Sequence, residues 1–120
     1  MLAHKASSQG KYVAETLAGN NGTYDNTVVP AVIFTDPEIA TVGMDEKEAK
    51  DNGMTVKTGK FPFRVSSRAM TRNATEGFVK VVANEKNKKI LGVQIVGNEA
   101  SDLISEAALA MKMNVCGPLT

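Results

Sequence analysis

Residues 77–97 read GFVKVVANEKNKKILGVQIVG, two β-branched and aliphatic runs on either side of a polar connection. Gly77–Ala83 and Lys89–Val96 have strand composition, and Asn84-Glu85-Lys86-Asn87-Lys88 suits a hairpin between them. The stretch that follows changes period. Ala100, Leu103, Ile104, Ala107, Ala108 and Met111 recur at helical spacing and predict one buried face of a helix over Ala100–Met113. Leu109 and Met113, four residues apart, fall off that stripe. Two readings stand for them: a helix covered on both sides within one core, or a helix whose second face meets another subunit. Small residues at Ala107, Ala108 and Ala110 permit close helix approach, and an uncovered apolar stripe is otherwise a liability.

Working back toward the start, Met54–Phe63 reads as a strand in which the apolar residues change parity between Met54/Val56 and Phe61/Phe63. A β-bulge at or near Gly59 accounts for that change. Asp45–Asn52 predicts a short helix, with Asp45 as cap, Glu48 three residues on, and Gly53 as terminator. Ala31–Thr35 is a short buried-strand run stopped by Asp36-Pro37, and Ile39–Val42 resumes extended chain. Ala3–Leu17 predicts a helix with a partial apolar face of Ala6, Val13, Ala14 and Leu17. The Gly19–Thr23 loop then separates it from the rest, which sets a boundary between residues 1–26 and a main domain over 27–120. Helices around a mostly antiparallel sheet make the fold class α+β.

Size and composition narrow the function. At 120 residues, with 42% hydrophobic residues, the chain suits one folded domain and a short stub. Fourteen Lys and Arg against thirteen Asp and Glu leave +1, which offers no electrostatic reason to expect nucleic acid or an anionic membrane as partner. No apolar run approaches the roughly 18 residues of a membrane span. Cys116 is the single cysteine, so an internal disulfide and a CxxC redox or metal pair are both excluded, and a cytoplasmic setting is expected.

The same residues carry no recognisable catalytic set. His4 is the only histidine, and neither a Ser-His-Asp arrangement, a metal cluster nor a Gly-rich phosphate loop accompanies it. Cys116 has no neighbour to activate it and reads as a structural thiol. Arg64, Arg68 and Arg72 recur every four residues and predict a solvated helix face. Catalytic and metal-binding residues are therefore expected to be none. In Thr35-Asp36-Pro37-Glu38 and Val42-Gly43, proline and glycine shape the chain rather than contact a ligand.

Order adds what single motifs lack. Met1-Leu2-Ala3-His4 opens the chain, and Pro30–Gly43 (PAVIFTDPEIATVG) follows. Phe61-Pro62-Phe63, Ser66-Ser67-Arg68-Ala69 and Gly92–Gly97 come next, before the Ala-rich helix. This succession resembles the C-terminal part of the flavin-dependent disulfide reductases, dihydrolipoamide dehydrogenases in particular, over nearly the whole chain. The resemblance implies an interface domain that forms a homodimer, preceded by the last helix of an FAD-binding domain. It further implies a full-length flavoenzyme that passes electrons from dihydrolipoyl groups through a disulfide and FAD to NAD.

In that family a helix start faces the flavin, and the resemblance assigns Met1, Leu2, Ala3 and His4 as cofactor-binding positions, mainly through backbone N–H groups. The family's dinucleotide fingerprint, paired redox cysteines and His-Pro-Thr-x-x-Glu segment are absent from these 120 residues. The chain is thus expected to stop before the catalytic segment, to be inactive alone and not to retain FAD. Related reductases of glutathione or mercuric ion share the domain plan but differ at the flavin-facing helix start. The alternative from another class is a stand-alone α+β association module.

Overall fold

The computed structural model describes residues 2–20, 22–25 and 27–116. Its centre is the hairpin of β4 (Phe78–Asn84) and β5 (Ile90–Gly97). The turn between them is built by Asn84. Its Oδ1 accepts the Lys86 N–H at 2.9 Å and its backbone O accepts the Lys88 N–H at 2.9 Å, and Lys88 exits at φ 60°. Around this hairpin the sheet grows to five strands, all antiparallel, with β1 (Ala31–Ile33), β2 (Glu38–Gly43) and β3 (Val56–Pro62) in the order β1-β2-β5-β4-β3.

The register explains the core. Ala40 pairs with Ile95 and Val42 with Val93, so these four side chains emerge on one side of the sheet. Val79 and Val81 of β4 pair with Ile95 and Val93 and join them. The helix α4 (Ala100–Lys112) lies across that side and buries Ala100 and Ile104 against it. On the opposite side, α2 (Glu46–Asp51) packs against β3 and buries Ala49. Asp45 caps α2 by accepting the Glu48 N–H at 2.7 Å, and Gly53 at φ 74° ends it, both as the sequence predicts.

Two local expectations are corrected. The bulge is not at Gly59: β3 pairs with β4 in unbroken register from Val56↔Asn84 to Pro62↔Phe78. The irregularity lies in β5, where Val82 pairs with Gly92 and Ala83 with Ile90, leaving Leu91 as the extra residue. The physical reason is burial. The inserted residue returns Ile90 to the α4 side, where it packs on the core. The parity change in residues 54–63 needs no bulge: in the unbroken strand Val56 and Phe61 face opposite sides of the sheet, and Phe63 has left the strand for a 3₁₀ turn, Phe63–Val65.

The arginine stripe also dissolves. Arg64 belongs to that 3₁₀ turn, and Ser66 is extended (φ −88°, ψ 118°) and caps a separate short helix, α3 (Ser67–Thr71). Arg72 is the C-cap of α3. Three arginines at helical spacing need one continuous helix to share a face, and Ser66 breaks it.

The first helix, α1 (Ala3–Leu17), stands apart. None of its residues is buried, and Val13 and Leu17 are exposed. The Tyr12 ring meets the Tyr24 ring of the following loop at a centroid distance of 5.4 Å, and His4 reaches Pro30 of the main domain.

Candidate functional site

The helix α4 presents two faces of opposite character. Ala100 and Ile104 are sealed in the core, with Ala107, Ala108 and Met111 half-buried beside them. Turned away from the sheet, Leu103 is 42% exposed, Leu109 61% and Met113 69%, with Glu106 also exposed and Ala110 half-buried among them. The reading of a helix covered on both sides within one core therefore fails for the described residues. Among the described residues an apolar stripe about three turns long, interrupted by Glu106, is left uncovered. The small side chain of Ala110 at its middle leaves room for a second backbone to approach.

The ends of α4 are held by charge. Glu38, at the start of β2, accepts the Ser101 N–H at 2.9 Å through Oε2, and Arg72 donates twice to Glu99, the N-cap residue of α4. At the other end, Lys112 donates to Asp25 at 2.8 Å, and Lys89 donates to Asn114 at 3.1 Å. Lys112 and Thr27 hold the Asp25 carboxyl well below its usual range, and Arg72 lowers that of Glu99 while Glu99 raises Arg72. Glu46 is drawn down to about 2 by its hydrogen bonds from Lys50 and Lys80.

The second candidate is the start of α1. Met1 lies outside the described residues. Leu2 is the N-cap residue (φ −112°, ψ 117°) and has no side chain able to cap; the first turn holds no acidic residue. The amides of Ala3, His4 and Lys5 precede the first intrahelical bond, Ala6 N–H to Leu2 O at 3.1 Å, so they form the positively polarised end of the helix. His4 has a further task that sequence reading missed. Its Nε2 lies 2.5 Å from the Pro30 carbonyl oxygen. A carbonyl only accepts, so Nε2 carries the proton and donates. The imidazole thus anchors α1 to the entrance of β1 and leaves the backbone as the free part of this helix start.

Thr35-Asp36-Pro37-Glu38 acts within the fold. Thr35 Oγ1 donates to the Pro37 carbonyl at 2.8 Å, the Asp36–Pro37 bond is cis, and Glu38 reaches α4. Cys116 is exposed, bridges to Lys89 as an isolated backbone pair, and donates weakly from Sγ to Asn114 O at 3.5 Å. Among the described residues no three His, Cys, Asp or Glu side chains gather to hold a metal. No described helix is long and apolar enough to cross a membrane. Sequence periodicity carried Leu109 and Met113 to the outer face but set Leu103 on the buried one; the structure leaves Leu103 42% exposed, at the edge of the stripe, where the sheet does not reach it. Arg72 and Glu99 were missed as partners because 27 residues separate them; the only local hint is Glu99 standing just ahead of a helix.

The comparisons with known proteins agree with this geometry. The family described as "Pyridine nucleotide-disulphide oxidoreductase, dimerisation domain" matches residues 29–117. Dihydrolipoyl dehydrogenase of Haloferax volcanii is 53% identical over 113 residues, covering 94% of this chain and 24% of the relative. Dihydrolipoyl dehydrogenase of Geobacillus stearothermophilus is 48% identical over 111 residues, 92% of this chain and 24% of the relative. The crystal structure of LpdA from Mycobacterium tuberculosis superposes with a TM-score of 0.86 at 28% identity, covering 96% of this chain and 25% of that one. The chain thus spans about a quarter of the length of these relatives. An antiparallel α+β sheet backed by a helix with an open apolar face, matched over most of its length, belongs to the pyridine nucleotide-disulphide oxidoreductase family as a dimerisation domain of dihydrolipoyl dehydrogenase type.

Proposed function

We propose that this chain is the part through which a dihydrolipoamide dehydrogenase pairs as a homodimer, and that the outer face of α4 is a pairing surface. The observation that carries the reading is the open stripe of Leu103, Leu109 and Met113 on a domain of this family. Burying such side chains against a second copy contributes about 1.5–3 kcal/mol each when burial is complete, enough to drive association. Residues 1–26 are the end of an FAD-binding domain and residues 27–120 the interface domain. The exposed Val13 and Leu17 of α1 support that division, because an apolar helix face without a partner here belongs against another layer.

The residues at the start of α1 fit the flavin. With no side-chain cap and no acid in the first turn, the backbone of Leu2, Ala3 and His4 offers unpaired N–H groups suited to the electron-rich N1 and O2 edge. Held there, FAD would supply the two-electron redox chemistry that links the dithiol of such an enzyme to NAD. One helix start does not replace a dinucleotide fold, so the 120-residue chain is inactive and does not keep FAD. The reading includes a cytoplasmic setting, supported by the lone cysteine, and no nucleic-acid or membrane partner, supported by the net charge of +1.

Molar mass by light scattering tests the pairing. A dimer is expected for the 120-residue chain, and Leu109→Asp with Met113→Asp should give a folded monomer whose urea unfolding midpoint matches that of the parent diluted to its monomer. A parent chain that stays monomeric at roughly 100 µM would remove the assignment of this face, since affinities of functional dimers lie well below that concentration.

A further inference from the structure

Glu99 stands at the N-cap of α4 in the left-handed region, φ 59° and ψ 26°, and its side chain does not cap its own helix. Such a conformation is unfavourable for a residue with a Cβ and persists where its surroundings over-determine it. The surroundings here are Arg72. Its Nη1 donates to Oε2 at 2.7 Å and its Nη2 to Oε1 at 2.6 Å, a two-pronged contact that sets orientation as well as distance. Arg68 adds positive charge near the same carboxylate. The Glu99 carbonyl then accepts the N–H groups of Asp102 and Leu103, each at 3.1 Å. Leu103 is the first residue of the open stripe. With Phe63, Ala69 and the two charged partners, it lines a cleft of about 350 Å³ between α3 and α4.

We infer that Arg72 is a positioning residue for the pairing surface: its grip on Glu99 sets the first turn of α4 and thereby the placement of Leu103 toward a second copy of this chain. The inference rests on the reading of the outer α4 face given under Proposed function. Exposed ion pairs are usually held loosely and contribute little. This one differs because both prongs are engaged and because the gripped residue is the helix's own starting point. A lysine in place of Arg72 keeps the charge but loses the fork, which makes Arg72→Lys the diagnostic change.

The test uses the 120-residue chain with Arg72→Lys, Glu99→Gln and the exchanged pair Arg72→Glu with Glu99→Arg. Three quantities are read: hydrogen exchange at the Asp102 and Leu103 amides, the dimer dissociation constant by sedimentation, and the urea midpoint. Each single change should speed exchange at those two amides roughly twofold to fivefold and raise the dissociation constant by a similar factor, while the midpoint hardly moves. The exchanged pair should recover part of both losses. Unchanged exchange and unchanged dissociation in both single variants would overturn the inference. So would a lowered midpoint read at a concentration where parent and variants are all monomeric, because that is general destabilisation. A monomeric parent chain would end the pairing reading instead, and exchange at Asp102 and Leu103 would then decide alone whether Arg72 sets the helix start.

Discussion

Glu38 caps α4 through Ser101, 63 residues further along the chain. Its Oε2 accepts the Ser101 N–H at 2.9 Å, at the end of α4 where Glu99 supplies no side-chain cap. A carboxylate there satisfies an unpaired amide and meets the positive end of the helix dipole. Because Glu38 also begins β2, whose Ala40 and Val42 form the core, this contact ties the sheet and α4 at the point where they meet.

Removing that cap should be costly for one side chain. Glu38→Ala is expected to lower stability by about 1–2 kcal/mol, the usual cost of an amide left without its acceptor. Glu38→Gln keeps a carbonyl oxygen in place and should lose less. Urea denaturation of the two variants checks the order; equal losses would show that the negative charge alone matters.

Ile104 is the largest fully buried side chain, 1% exposed beneath α4. Ile104→Ala should cost about 2–5 kcal/mol, through lost transfer energy and the cavity left against Val93 and Ile95. For a domain whose total stability is on the order of 5–15 kcal/mol, that is enough to shift the thermal midpoint by many degrees. A loss below about 1 kcal/mol would mean that the core around α4 collapses to fill the space.

Gly92 shows where backbone approaches backbone. It pairs with Gly43 across β2 and β5, and a Cβ at Gly92 would overlap the carbonyl oxygen of Met44. The neighbouring bond from Met44 N–H to Leu91 O, 2.9 Å, holds this crossing together. Gly92→Ala is expected to destabilise by about 1–3 kcal/mol and to expose the Met44 amide to faster hydrogen exchange. Wild-type protection of that amide in the variant would contradict the close approach.

Acid should loosen the ion pairs in a defined window. Hydrogen bonds from Lys50 and Lys80 lower the Glu46 carboxyl from 4.5 to about 2, so its folded-state pKa lies below its unfolded value. The stabilisation is therefore complete above 4.5 and is lost as pH falls toward 2. Asp25 and Glu99 shift in the same direction. A carboxyl titration by NMR should place Glu46 low in the parent chain, and Lys80→Met should move it upward. No movement in that variant would assign the whole effect to Lys50.

Much of this molecule was present in local pattern. The β-branched composition of residues 77–83 and 89–96, the cap and stop around α2, and the period of α4 each depend on neighbours within a turn or a strand length. That is also why the open stripe of Leu109 and Met113 was visible, and why the order of motifs was enough to suggest the family. Where two explanations fit the same local pattern, it misled. A parity change in residues 54–63 was read as a bulge at Gly59, whereas Val56 and Phe61 simply face opposite sides of an unbroken strand and the real insertion was Leu91. Three arginines at helical spacing shared no helix because Ser66 broke it.

The sequence by itself determined the elements, their order and the amphipathic character of α4, since these follow from backbone preference and side-chain period over a few residues. Only the tertiary structure decided which distant partners hold α4 and α1 in place. Glu38 with Ser101, Arg72 with Glu99 and His4 with Pro30 join positions 26 to 63 residues apart. Partners that distant leave no periodic trace, because what brings them within hydrogen-bond reach is the packing of the helices on the sheet.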